Sequence, residues 1–237
     1  MLEEINLENV FVIDIETVPQ EEHFQNLSPL WQQLWTDKTQ YLRKEQYTAE
    51  DFYERAGIWA EFGKVICISV GFYHFKKHEM HLRINSFYGN DEKEVLTQFV
   101  ALLGKQSKKL LLCAHNGKEF DFPYLCRRML INGLPIPYQL QLSGKKPWEI
   151  NHIDTMELWK FGDYKHYTSL NLLATILNVP TSKDDIDGSM VKDVYYKENN
   201  LKRIVTYCQK DVITTAQILL RFKGSDTIKE ENITLVK

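Results

Sequence analysis

The chain is expected to fold as an α/β domain, with a central mixed sheet of about five strands and helices on its faces. Three observations carry this expectation. Val10-Phe11-Val12-Ile13-Asp14-Ile15 opens as an apolar, β-branched run of core-strand type. Two more strand-like runs follow it, and from Asp91 onward helical and strand patterns alternate. The first strand is the most apolar and belongs at the centre of the sheet.

After the first strand, Pro19 marks a turn, and about forty residues pass before the next apolar run. So long a connection needs structure of its own. Its Trp31, Leu34, Trp35, Tyr41, Leu42, Phe52 and Trp59 predict short helices packed on the body, an insertion at about 20–62. Lys64–Tyr73 reads as the second strand and His81–Tyr88 as the third, joined by a turn near Lys76 to His78. Asp91–Leu103 has helical spacing, acids in its first turn and Gly104 at its end. Lys109–Ala114 is the expected fourth strand, Asp121–Ile131 a helix closed by Asn132-Gly133, and Glu149–Asp154 a short fifth strand ending on an acid. Ser169–Leu177 and Leu201–Phe222 are the remaining helices, the former capped by Thr168 or Ser169. One domain is expected over 1–224, followed by a loose polar tail, 225–237.

At 237 residues, 43% hydrophobic and 26% charged, the chain is long and apolar enough for a full core. A net charge of −3 does not announce a nucleic-acid binder, but a local basic groove can hide in the total. Cys67, Cys113, Cys126 and Cys208 lie singly in apolar segments and read as reduced core residues. The sequence opens on no signal-like stretch and has no apolar run approaching the roughly 20 residues that span a bilayer. A cytoplasmic protein with no membrane association is expected.

The first strand ends unusually. In a strand, residues two apart share a face, so Asp14 and Glu16 stand side by side. Like charges at that distance raise each other's pKa, unless a cation lies between them. A metal site and a solvated strand end both fit. Tyr207 and Asp211, four apart on the last helix, flank its buried stripe; an active pair and a packed tyrosine beside an acid are both open. Asp121 sits at a helix entry, where capping explains a carboxylate as well as chemistry does.

Together these pieces resemble a known family. Asp14-Ile15-Glu16, the N-x3-F-D-x-P-Y-L pattern from Asn116 to Leu125 and the Y-C-x-x-D pattern from Tyr207 to Asp211 are similar to the three exonuclease motifs of the DEDD superfamily. Their order and wording resemble most the proofreading domain of family B DNA polymerases. The resemblance implies an RNase H-like fold and a 3′→5′ exonuclease, here with no polymerase domain following. It implies that Asp14, Glu16, Asp121 and Asp211 hold two divalent ions and that Tyr207 orients the attacking water. The sister subgroup carries a histidine five residues before the last acid; Thr206 stands there, so the tyrosine type is implied. Hard carboxylate ligands favour Mg²⁺ or Mn²⁺. The segment between Pro19 and Gly63 has no counterpart in the family pattern.

Asn116 and Phe120 match the second motif and are candidate substrate contacts, Asn116 equally a loop holder; Thr17 is placed to donate its amide or hydroxyl to a 3′ end. Asp154-Thr155 resembles a recurring acid near the sheet edge and equally a helix cap. His115, His152 and His166 lack metal-ligand spacing and read as satisfied polar residues. Lys145-Lys146-Pro147-Trp148 and Tyr164-Lys165-His166-Tyr167 combine cations with rings, as single-strand binding needs, and fit ordinary surface loops too. Asp184-Asp185-Ile186-Asp187-Gly188 lacks the ligands of a calcium loop. The expected partner is single-stranded nucleic acid, DNA favoured over RNA. An exoribonuclease and a non-catalytic binding module are the alternatives.

Overall fold

The computed structural model describes residues 2–43, 46–163, 167–181 and 186–236. Its strands are β1 (Val10–Pro19), β2 (Gly63–Lys76), β3 (Glu79–Tyr88), β4 (Leu111–Ala114), β5 (Ile153–Asp154) and β6 (Ile233–Leu235). They form one sheet in the order β5-β4-β1-β2-β3-β6. The apolar first strand is internal, as its composition predicts. β1 runs antiparallel to β2 and parallel to β4, and β4 parallel to β5. The β2–β3 hairpin turns through Lys77 and His78, both at positive φ, as a two-residue turn with the strands' own twist requires.

The helices are α1 (Pro29–Thr39), α2 (Ala49–Phe52), α3 (Glu92–Gly104), α4 (Asp121–Ile131), α5 (Thr155–Lys160), α6 (Leu170–Ile176), α7 (Val191–Tyr196) and α8 (Leu201–Phe222). Alternation along β1 sorts its side chains between two cores. Phe11, Ile13 and Ile15 pack with residues of α3 and α4, such as Phe99, Phe122 and Leu125. Val10 and Val12 pack with Val212, Ala216 and Leu219 of α8. The latter face continues as Asp14 and Glu16, so the acids look toward the start of α8.

Two expectations need correction. Among the described residues the sheet has six strands, because Ile233–Leu235 pairs parallel to Leu82–Ile84 of β3. The segment beyond Gly224 is therefore not loose throughout. Three residues, Ile233-Thr234-Leu235, are too short a run to show a strand period in a polar segment, and their place is set by backbone hydrogen bonds to β3. β5 is also shorter than Glu149–Asp154: Glu149 belongs to a 3-10 turn, Pro147–Glu149, and only Ile153 and Asp154 pair with β4. Between 20 and 62, α1, α2 and the 3-10 turn Tyr53–Ile58 surround an aromatic cluster centred on fully buried Trp35. Its ring lies 5.0 Å from that of Phe62 and 5.4 Å from those of Tyr53 and Trp59. Among the described residues, no helix is long and apolar enough to cross a membrane.

Candidate active site

The site arises where β1 outruns its neighbour. β4 pairs with β1 only as far as Val12↔Cys113, whereas β1 continues beside β2 to Pro19. The free edge of β1 beyond Val12 borders a cleft of about 820 Å³. It lies beyond the carboxyl ends of β4 and β5, where open α/β sheets commonly place ligands. All eight site residues singled out in the sequence line this cleft.

The four acids arrive by three routes. Asp14 and Glu16 come from the β1 face that meets α8, and Asp211 from α8 itself. Asp121 begins α4 and reaches round the end of β4, where its carboxylate accepts the N–H of Ile15 on the free edge of β1. Glu16, Asp121 and Asp211 are buried, at 7%, 4% and 8% exposure. Burial raises the pKa of Asp14 well above the carboxylate range, and the charges of Asp211 and Asp121 raise it further. Glu16 is raised in the same way, by burial first and then by Asp14 and Asp211. Asp121 is pushed up to about 7, chiefly by burial, although its backbone hydrogen bonds work against the shift. The Tyr207 phenol is held far above its ordinary pKa by burial and by Asp211, Glu16 and Asp14, so it keeps its proton.

One oxygen decides what this cluster fits. Asp14 Oδ2 is buried without a hydrogen-bond partner. An orphaned carboxylate oxygen facing other carboxylates is costly alone and suits a hard divalent cation, whose ligands are oxygens. Cys208, read in the sequence as core, does lie here: its Sγ shares a 4.8 Å cluster with carboxylate oxygens of Asp14 and Glu16. Burial pushes its pKa well up, and it donates to the Asp14 carbonyl at 3.4 Å, so it serves as a thiol donor rather than a thiolate ligand. Its position follows from the helical repeat, since Cys208 is one turn before Val212 on the face that meets β1.

The loop before Asp121 is held by Asp154. The Asp154 carboxylate accepts the amides of Asn116 at 3.0 Å and Lys118 at 3.1 Å, and also caps α5 by accepting those of Met156 and Glu157. The two sequence readings of Asp154, edge acid and cap, thus describe one side chain. Asn116 sits at φ 63°, in the left-handed region that asparagine tolerates, and its Oδ1 is buried without a partner. Phe120 stands between Asn116 and Asp121 at the entry to α4 and packs near Tyr124, with ring centroids 5.3 Å apart.

The insertion supplies the other wall. Thr17 Oγ1 and Tyr124 Oη each donate to the Gly57 carbonyl at 2.8 Å, so the Thr17 hydroxyl proton holds the wall. The turn Tyr53–Ile58 approaches so closely that a Cβ on Gly63 would stand 2.7 Å from the Gly57 carbonyl oxygen. Arg55 and Ile58 of that turn face the cleft, whereas Trp35 is committed to packing.

His115 bonds Thr155 Oγ1 and the Thr168 carbonyl, and His152 accepts from Leu112 and meets the Gln139 carbonyl, so both are satisfied structural histidines. Tyr167 lines the cleft, whereas Trp148, with Lys146 5.2 Å from its ring centre, borders a separate cavity. Tyr164, Lys165, His166, Asp184 and Asp185 lie outside the described residues. The reading from sequence missed Glu54, Arg55 and Lys192, which line the cleft from segments with no motif.

Residues 58–234 match the family described as predicted 3′-5′ exonuclease related to the exonuclease domain of PolB. The chain belongs to this family. The matched segment begins beyond β1 and therefore does not include Asp14 and Glu16. The family B DNA polymerase of the hyperthermophilic archaeon Pyrobaculum calidifontis superposes with a TM-score of 0.54 at 17% identity. That likeness covers 90% of this chain and 24% of the polymerase, so the chain spans about a quarter of its length. The RNase domain of the yeast Pop2 protein covers 95% of this chain and 84% of its own, with a TM-score of 0.39 and 12% identity. The architecture of this exonuclease-family member is RNase H-like.

Proposed function

We propose that this family member is a metal-dependent 3′→5′ exonuclease that hydrolyses phosphodiester bonds from the 3′ end of single-stranded or frayed DNA. The observation that carries the reading is the buried, unpartnered Asp14 Oδ2 amid mutually destabilising carboxylates. Asp14, Glu16, Asp121 and Asp211 would hold two divalent ions, Mg²⁺ or Mn²⁺. Bound there, such ions supply Lewis-acid polarisation of the phosphodiester and a lower pKa for water.

The chain's own residues do the rest. Tyr207, kept protonated, donates to the Asp211 carboxylate in the metal-free site, and would turn that one proton to orient the attacking water once ions engage Asp211. Water adds at phosphorus, the P–O3′ bond breaks, and a nucleoside monophosphate leaves. Asn116 and Phe120 hold the terminal nucleotide in this reading, which is supported by their place in the cleft lining and the unpartnered Asn116 Oδ1. Thr17 keeps the insertion wall seated against β1. The four free cysteines suit a cytoplasmic setting.

The test is a gel. Protein is incubated with 5′-labelled single-stranded DNA and matched RNA, in Mg²⁺, Mn²⁺ or EDTA, beside Asp14→Ala. A ladder shortening from the 3′ end of DNA, abolished by EDTA and by the substitution, supports the reading. Faster shortening of RNA makes the enzyme an exoribonuclease. No shortening under any metal, with folded and metal-binding protein, leaves a binding module.

A further inference from the structure

Among the described residues, the cleft holds two cations besides its acids, and no motif marks either. Arg55 and Glu54 stand on the turn Tyr53–Ile58, and Lys192 on the first turn of α7. Lys192 Nζ donates to Glu54 Oε1 at 2.7 Å, across 138 residues of sequence. The two partners are unequal: the lysine side chain is 10% exposed and the glutamate 65%. The cation is seated in the wall, while its anion is washed by solvent. An exposed carboxylate holds a cation weakly, so another anion entering the cleft competes on good terms. The cleft's histidine is no substitute, since both ring nitrogens of His115 are engaged and burial lowers its pKa.

We propose that Lys192 is a backbone-phosphate subsite for the incoming single strand, and that Glu54 occupies it until a phosphate displaces the carboxylate. This rests on the exonuclease reading of the cleft. The chemistry recognised is the phosphodiester, which carries no sequence information, and Arg55, exposed on the same turn, is placed for a neighbouring phosphate. A strand crowded by acidic side chains needs such cations as well as the ions. Glu54 then acts as a gate: it lowers affinity for weak anions and yields to a polyanion.

The experiment measures binding of a fluorescent single-stranded oligodeoxynucleotide, and of matched RNA, to the full chain in Ca²⁺ and in EDTA, with thermal melting alongside. Lys192→Met is expected to weaken binding about tenfold and to flatten the log–log salt dependence by about 0.7, the loss of one phosphate contact on a single strand. Lys192→Arg should retain most of the affinity, and Glu54→Gln should tighten it about threefold, since the lysine is released from an exposed pair. If Lys192→Met and Lys192→Arg bind like the wild type, the subsite is wrong and the exonuclease reading stands. If Glu54→Gln weakens binding and melts early, the pair is a clamp between the insertion and α7, and the gate is wrong. Wild-type protein that binds neither strand overturns the exonuclease reading and the subsite with it. Should Lys192→Met fail to fold, the Glu54→Gln and Lys192→Arg titrations decide alone.

Discussion

Tyr207 and the acids around it illustrate how burial sets chemistry at the residue scale. The phenol is surrounded by negative charge and cannot ionise, which leaves it a donor. Tyr207→Phe keeps the ring and removes the donor, so turnover on DNA should fall about a hundredfold. Metal-dependent thermal stabilisation should persist. Full activity in the variant would remove Tyr207 from the mechanism. The acids have a consequence in pH. Asp121 titrates near 7 in the fold and near 4 unfolded, so between these values the folded chain binds more protons. Stability of the metal-free protein therefore falls as pH rises through that window, and Asp14 and Glu16, also raised, add in the same direction. Melting in EDTA should drop on the order of several degrees from pH 5.5 to 8. Added Mg²⁺ or Mn²⁺ should recover more of it at pH 8 than at pH 5.5. A metal-free midpoint that rises with pH would contradict the carboxylate assignment.

Among elements, the link between β5 and the loop after β4 carries the most weight. β5 pairs with β4 only over Cys113↔Ile153 and Ala114↔Asp154, yet Asp154 at its end ties Asn116, Lys118 and α5 to one carboxylate. Asp154→Ala leaves buried amides unpaired and removes a cap, and should cost about 2–4 kcal/mol in denaturant unfolding. Its activity loss should exceed that of Asp154→Asn, which keeps an acceptor oxygen for the loop. Equal stability of wild type and Asp154→Ala would show that the loop holds itself. A second inter-element tie lies away from the site. Glu92 of α3 forms a two-pronged ion pair with Arg128 of α4, at 2.8 and 2.5 Å, and also accepts the Val65 amide of β2. A buried pair broken on one side leaves an uncompensated charge, so Glu92→Gln should cost about 3–5 kcal/mol, read as an earlier denaturant midpoint with an unchanged slope.

The whole molecule is a sheet with one edge of β1 left open and an aromatic insertion closing the gap. The insertion has its own core around Trp35, whose indole donates to the Ala49 carbonyl at 2.7 Å. Trp35→Ala should cost about 3–5 kcal/mol locally. Hydrogen exchange is expected to quicken across residues 20–62 while the amides of β1 and β2 stay protected. Strand affinity should fall with it, because Arg55, a cation facing the cleft, rides on that wall. Loss of protection in the central strands as well would mean that the insertion and the sheet fold as one unit.

Local pattern was enough for much of this. The strand period put Asp14 and Glu16 on one face, the helical period put Tyr207 and Asp211 on one flank, and the three motifs named the family, because such periods act over a few residues. The long helices and the internal place of β1 were legible for the same reason. β6 was not, since three residues are too short a run to show a strand period, and its place is set by pairing with β3. Nor were the dual role of Asp154, the thiol of Cys208 beside the acids, and the Glu54–Lys192 pair across 138 residues. These depend on where distant segments meet. By itself, the sequence determined the residue types and their local faces. Tertiary structure decided the free edge of β1, the burial that keeps its acids reluctant to ionise, and the cations facing them, because burial and contact belong to the packed chain.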